Sequence, residues 1–271
     1  EFVGPGDLRR LERAPESHKG DHGDVLVVGG GPYTGAPALT AQATLRAGGD
    51  LARVACPSAV ADTVQGYSEN LIVEPFDGER LEPRHVDALV DRAKAVDVVV
   101  VGPGLGSADP TLSAARDLLE GLSGTVVVDA DPLSVVPEVE TEATLLCTPH
   151  QGELVGMGGP RSEDWRERRD RVAAFAADLG HTLLVKGHYD VVSDGEETRV
   201  NRTGNPGMTV GGTGDVLAGT TGALAAVLDP VPAAAVAAYA TGRAGDIVAD
   251  SRGDSLLATD LLDALPAALR A

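Results

Sequence analysis

The chain has 271 residues and a mass of 27.6 kDa, enough for one large domain with a substantial core and no need of a second. It is 43% hydrophobic with a mean hydropathy near zero, and no apolar run approaches the length a bilayer span requires. Acidic residues outnumber basic ones by 41 to 22, giving a net charge of −19, so neither nucleic acid nor an anionic membrane is expected as a partner.

The basic residues are nineteen arginines and three lysines, and aromatics make up 3% of the chain. With the acidic excess, this composition reads as that of a salt-adapted, cytoplasmic protein, whose self-repulsion is relieved by cation screening; an ordinary acidic enzyme is the alternative. Cys56 and Cys147 each close a strand-like apolar run, lack metal-ligand spacing and read as core thiols of a reducing compartment. A chain beginning at Glu1 is expected to be an excised or processed piece.

In chain order, residues 1–20, which include the run Leu8-Arg9-Arg10-Leu11-Glu12-Arg13, read as a lead-in helix or linker rather than core; residues 21–271 read as the domain. Strand-like runs at 25–28, 51–55, 71–73, 98–101 and 126–128 then alternate with helical patterns at 36–47, 60–67, 86–95 and 112–119. Val-rich strands without polar alternation are buried on both faces, which predicts parallel βαβ units in a doubly wound α/β layer architecture. Residues 165–179 read as an amphipathic helix whose Arg166, Arg168, Arg169 and Arg171 form a solvated face. Residues 182–195 read as strand, tight turn, strand, and with a further strand near 198–200 they predict an antiparallel edge to the sheet. From Val216 onward the pattern is helical and Ala-rich, interrupted only at Pro230 and Pro232.

The most informative segment is Asn205-Pro206-Gly207-Met208-Thr209-Val210-Gly211-Gly212-Thr213-Gly214-Asp215, directly ahead of a helical pattern. Its glycines let successive N–H groups converge on an anion, and a helix starting near Thr213 aims its positive end at the same point. Phosphate fits there. Asp215, in the first turn, is placed to accept a proton from a hydroxyl attacking a phosphoryl group. In isolation the segment reads better as a Gly-rich loop with an Asp helix cap, a common structural device. Three other segments support the phosphate reading. Lys186 stands at a turn after a buried strand, Gly102-Pro103-Gly104-Leu105-Gly106 follows the 98–101 run, and His150 and Glu153 sit three apart at another strand exit. Each of the last two is weak alone.

Taken together, in order and spacing, these segments resemble the ADP- or ATP-dependent NAD(P)H-hydrate dehydratases of the ribokinase-like superfamily. The resemblance runs from His18-Lys19-Gly20-Asp21 through Tyr33-Thr34-Gly35-Ala36, the 102–106 glycines, Val127-Val128-Asp129-Ala130-Asp131 and Thr148-Pro149-His150 to the glycine-rich segment. Gln151 departs from the proline usual in the family, as does Gly29-Gly30-Gly31 after the first strand; neither removes a chemically active group.

The fold it implies is a three-layer αβα sandwich with a mostly parallel sheet and antiparallel edge strands. The chemistry it implies is dehydration of hydrated NADH or NADPH coupled to ADP or ATP hydrolysis, with Mg2+. Phosphorylating the ring hydroxyl makes it a leaving group, and the ring nitrogen lone pair then expels phosphate. Asp215 would be the base. Ala36, Gly102, Gly104, His150 and Asp215 match positions that contact the hydrate. Lys186, Gly187, His188, Tyr189 and Asp190, with Gly211, Gly212, Thr213 and Gly214, match those that hold the nucleotide; Glu153 matches an acidic position near magnesium and its water. The resemblance also implies a homo-oligomer, a tetramer, and in many relatives fusion to an N-terminal hydrate epimerase. The competing readings are a ribokinase-like kinase of a hydroxymethylpyrimidine or hydroxyethylthiazole type alcohol, in which Asn is common where this chain has His150, and a non-catalytic nucleotide sensor.

Overall fold

The computed structural model describes residues 1–11 and 13–270; Glu12 and Ala271 lie outside the described residues. Strands are β1 (Asp24–Val28), β2 (Leu51–Ala55), β3 (Ile72–Val73), β4 (Val98–Val101), β5 (Thr125–Val128), β6 (Thr144–Cys147), β7 (Thr182–Val185), β8 (Asp190–Ser193) and β9 (Thr198–Asn201). Helices are α1 (Gly35–Arg46), α2 (Ala61–Gln65), α3 (Val86–Ala93), α4 (Asp109–Gly121), α5 (Gln151–Gly156), α6 (Trp165–Leu179), α7 (Thr213–Ala225), α8 (Pro230–Arg252) and α9 (Ala258–Ala268).

Among the described residues the strands form one sheet in the order β3-β2-β1-β4-β5-β6-β7-β8-β9. Pairing is parallel from β3 through β7, while β8 and β9 add antiparallel. The Val-rich runs are strands because both faces are covered: Val98 and Val100 enter one core with α1, α7 and α8, and Val99 and Val101 enter the other with α3, α4 and α6. This is the expected three-layer architecture. Strand order reverses at β1, so the loops leaving β1 and β4 open a crevice at the carboxyl ends of the strands, where ligands bind in such sheets.

One close helix contact fixes the site. A Cβ on Gly219 of α7 would lie 1.9 Å from the Thr40 carbonyl oxygen of α1, so the two backbones pack directly and their N-terminal ends lie side by side. Thr44 Oγ1 donates to the Gly219 carbonyl at 3.1 Å and holds that register.

Two expectations need correction. The lead-in is part of the fold, because Glu1 and Val3 pair with Val200 on the outer edge of β9 and Val3 and Leu8 are buried in the core beneath α8. Pairing of this kind covers a strand edge that would otherwise be exposed. The C-terminal helices break twice, and Pro230 and Pro232 do not interrupt a helix. They lie in the first turn of α8, where a missing N–H costs nothing, and a second break falls at Gly253, which takes φ +57° before α9.

Candidate active site

A cavity of about 580 Å³ opens where α7 begins. One wall is the 203–214 run apart from Gly207, the other is made by His150, Lys186, Gly187, His188 and Asp190, and residues of α7 and α8 complete the lining. Gly212 takes φ +96° immediately before α7, which starts at Thr213 as the sequence predicts. The amides of Thr213 and Gly214, both in the lining, lie in the first turn of α7 and have no helical acceptors of their own. Thr213 Oγ1 is engaged within this wall, donating to the carbonyls of Met208 and Val210 at 2.9 and 3.2 Å. Asn205 caps the turn before it, accepting from Gly207 N while its amide donates to Asp246 Oδ1.

The other wall is electrostatic. Lys186 Nζ lies 2.9 Å from Asp129 Oδ1 and 3.7 Å from Glu153 Oε2. Burial pulls the ammonium down, but Asp129, Glu153 and Asp215 together hold it above its ordinary value. Asp215, half-buried in the first turn of α7, is pushed up to about 7, first by burial and then by the charge of Asp129, with Lys186 opposing. It thus titrates near neutrality, where a carboxylate is an effective proton acceptor. Asp190 is also raised, to about 6, by burial, against hydrogen bonds from Asn201 and the Gly187 amide.

His150 caps α5: its Nδ1 accepts from the amides of Gly152 and Glu153 at 2.9 and 3.1 Å, while its own N–H donates to Glu153 Oε2 at 2.7 Å. With Nδ1 accepting, the ring proton is assigned to Nε2. The capping and cavity-lining roles coexist in this one residue.

The structure gathers His150, Lys186, Gly187, His188, Asp190 and the 211–214 segment around the cavity. Tyr189 lies outside the lining; its ring stacks on Trp165 at 5.1 Å. Ala36 and Gly104 meet at a neighbouring corner, where a Cβ on Gly104 would lie 3.3 Å from that of Ala36 and 2.2 Å from the Tyr33 carbonyl oxygen. Gly102, at φ +133°, has no room for a Cβ beside the Asp129 carbonyl. Asp215 is coupled by charge to both Lys186 and Asp129, and the Asp129 backbone in turn abuts Gly102.

Sequence reasoning did not single out Asp129. Its signal was present, an acidic residue immediately after a buried Val run at a strand exit, and it is 3% exposed with Thr148 Oγ1 donating to it at 2.7 Å. Arg168 is corrected: it is buried, not solvated, and its guanidinium donates to the Tyr189 carbonyl. Nothing in a run of four similar arginines distinguishes it. Both cysteines are buried and free, and burial holds Cys56 up to about 11; burial and Asp129 hold Cys147 up to about 12, which makes them unreactive thiols. Among the described residues no helix is long and apolar enough to cross a membrane, and no group of three or more His, Cys, Asp or Glu side chains could hold a metal ion.

The sheet order and layer arrangement are those of a ribokinase-like fold. A ribokinase-like superfamily protein from Enterococcus faecalis V583 superposes with a TM-score of 0.84 over 99% of this chain and 95% of its own, at 23% identity, a likeness of fold alone. An ADP/ATP-dependent NAD(P)H-hydrate dehydratase from Bacillus subtilis, co-crystallised with ATP/Mg2+, is 26% identical with a TM-score of 0.82, covering 97% of this chain and 94% of that one. The bifunctional NAD(P)H-hydrate repair enzyme Nnr of Pyrobaculum aerophilum is 45% identical over 99% of this chain and 55% of its own length. The chain thus spans about half the length of the curated relatives it matches. The family model for NAD(P)H-hydrate dehydratase, Carb_kinase, matches residues 25–267, and the chain belongs to that family.

Proposed function

We propose that the chain dehydrates hydrated NADH or NADPH back to the reduced dinucleotide, driven by ADP or ATP. The observation that carries this reading is Asp215, a carboxylate raised to about 7 beside Lys186 and at the start of the α7 amides. The substrate hydroxyl oxygen attacks the terminal phosphorus of the nucleotide and its proton passes to Asp215. The bond to the nucleotide's bridging oxygen breaks as the new P–O bond forms. The ring nitrogen lone pair then expels phosphate, and loss of a proton from the adjacent ring carbon restores the double bond. The 211–214 amides stabilise the transferring group, a role worth on the order of 3 kcal/mol per donor in comparable oxyanion sites.

The donor set suits Mg2+ carried by the nucleotide rather than caged by protein, since Mg2+ is commonly held by one or two carboxylates plus phosphate oxygens. Glu153 is the carboxylate that would hold it through water, and the ion would neutralise charge on the phosphates. The corner formed by Ala36, Gly102 and Gly104 would take the hydrate, with His150 at its edge, and the cavity would take the nucleotide. The same reading extends to a homo-oligomer, a tetramer, in a salt-rich cytoplasm, and to a longer protein with an N-terminal epimerase.

Incubating the protein with hydrated NADH and ADP, then with ATP, tests the proposal through the return of reduced-nicotinamide absorbance. No return with either nucleotide, or accumulation of a stable phosphorylated alcohol from a pyrimidine or thiazole substrate in its place, would support the kinase reading instead.

A further inference from the structure

The 186–190 loop is held from outside the cavity by one face of α6. Asp164 caps that helix, accepting from the amides of Arg166 and Glu167, and so fixes its first turn. Trp165 and Arg168, three residues apart, project to the same side. The Trp165 ring stacks on Tyr189 with a centroid distance of 5.1 Å and an interplanar angle of 27°, and Tyr189 meets the His188 ring edge-on at 4.7 Å. Arg168 lies beneath the loop and donates to the Tyr189 carbonyl; a Cβ on Gly187 would come within 2.6 Å of its Nη1. The loop is tied down from its other side by Asp190, whose Oδ1 accepts from the Gly187 amide and whose Oδ2 accepts from Asn201, both at 2.9 Å. Behind Trp165 stands Phe2 of the N-terminal pairing segment, at 5.7 Å.

Gly187 and His188 line the cavity, whereas Trp165 and Arg168 do not. A buried guanidinium is costly unless its donors are used; here Nη2 is used by a loop carbonyl, while Nε is buried without a hydrogen-bond partner. We propose that Trp165 and Arg168 are positioning residues for the 186–190 loop, which set nucleotide affinity by fixing where Gly187 and His188 stand and never touch the reacting atoms. The proposal rests on the reading that the cavity holds the nucleotide.

Trp165 is the one tryptophan of the chain, so its fluorescence reports on this contact directly. The test is a fluorescence titration with ADP and with ATP, with calorimetry alongside, and steady-state turnover of hydrated NADH, on the wild type, Arg168→Met, Arg168→Lys and Trp165→Ala. Wild-type emission should shift on nucleotide binding. Arg168→Met should raise nucleotide Kd and KM about tenfold, the loss expected for a hydrogen bond from a charged donor, with kcat within about twofold. Arg168→Lys should recover part of the affinity because it keeps a donor. Trp165→Ala, followed by calorimetry, should move KM in the same direction, and it carries the test if Arg168→Met fails to fold. A folded Arg168→Met with wild-type nucleotide affinity, or one that loses kcat and affinity for both substrates alike, would overturn the positioning role alone. A wild type that binds no nucleotide at all would overturn the cavity assignment and this inference with it.

Discussion

The two walls of the cavity are built in opposite ways. One is a single stretch of chain from Thr203 to Gly214, lining the cavity at all but Gly207, whose shape depends on glycine conformation and on short-range hydrogen bonds of Asn205 and Thr213. The other is assembled from residues beyond the ends of β6 and β7, and its Lys186 is held by Asp129 and Glu153, which stand outside the lining, the first of them more than fifty residues away in sequence. The backbone wall offers N–H groups of fixed direction, suited to phosphate oxygens; the side-chain wall offers a charge cluster that tunes Asp215. Geometry comes from one and proton affinity from the other, so the two should fail differently when altered.

The largest separation is expected from Lys186→Met. It leaves Asp129 and Glu153 without their shared cation, and breaking a buried pair of this kind costs about 3 kcal/mol or more of stability. Nucleotide affinity should fall by an order of magnitude or more, and denaturant unfolding together with calorimetry checks both. Wild-type stability in this variant would mean that the cluster is not mutually held.

Gly212→Val attacks the other wall. The added atom would lie 2.8 Å from Ala258 Cβ and 2.9 Å from Leu39 Cδ1, at a φ of +96° that side chains rarely adopt. The start of α7 should shift, with a loss of about 1–3 kcal/mol and weaker nucleotide binding. An unchanged melting temperature and affinity would show that the glycine conformation is dispensable.

This contrast also explains what could be read in advance. The start of α7 at Thr213, the parallel strands and the antiparallel edge follow from local signals, namely glycine runs, Val runs and a lysine at a turn. Asp129 carried a weaker signal that becomes meaningful only when β5, β6 and β7 lie side by side. The burial of Arg168 and the pairing of Glu1 and Val3 with Val200 depend on which residues meet across some 20 and 200 positions, and no periodicity encodes that. Contiguous backbone motifs are legible; charge clusters built by topology are not.

A smaller effect distinguishes the charge wall through pH. The folded-state value of Asp215 lies near 7, above its ordinary 3.8, so between these values the folded protein binds more protons than the unfolded chain, and this group's contribution to stability is lost as pH rises. Asp215→Asn removes that loss. Relative to wild type it should gain about 1–2 kcal/mol on going from pH 5 to pH 8, allowing for partial exposure, as measured by urea unfolding at each pH. A pH-independent difference would mean that Asp215 titrates as an ordinary surface carboxylate.

The smallest effect per site lies outside both walls and follows from the net charge of −19. Screening shortens from roughly 30 Å at 0.01 M salt to about 3 Å at 1 M, so the melting temperature should climb with potassium chloride. A flat or falling curve would remove the salt-adapted reading and leave the site untouched.

The most direct single measurement compares wild type and Asp215→Asn in the recovery of reduced nicotinamide from its hydrate with saturating nucleotide, with nucleotide Kd determined on the same samples. Turnover should drop by about a hundredfold or more while Kd stays within a few-fold, because the amide keeps the shape of the backbone wall and loses only the proton acceptor. A variant that retains more than about a tenth of the wild-type rate would contradict general-base catalysis by Asp215.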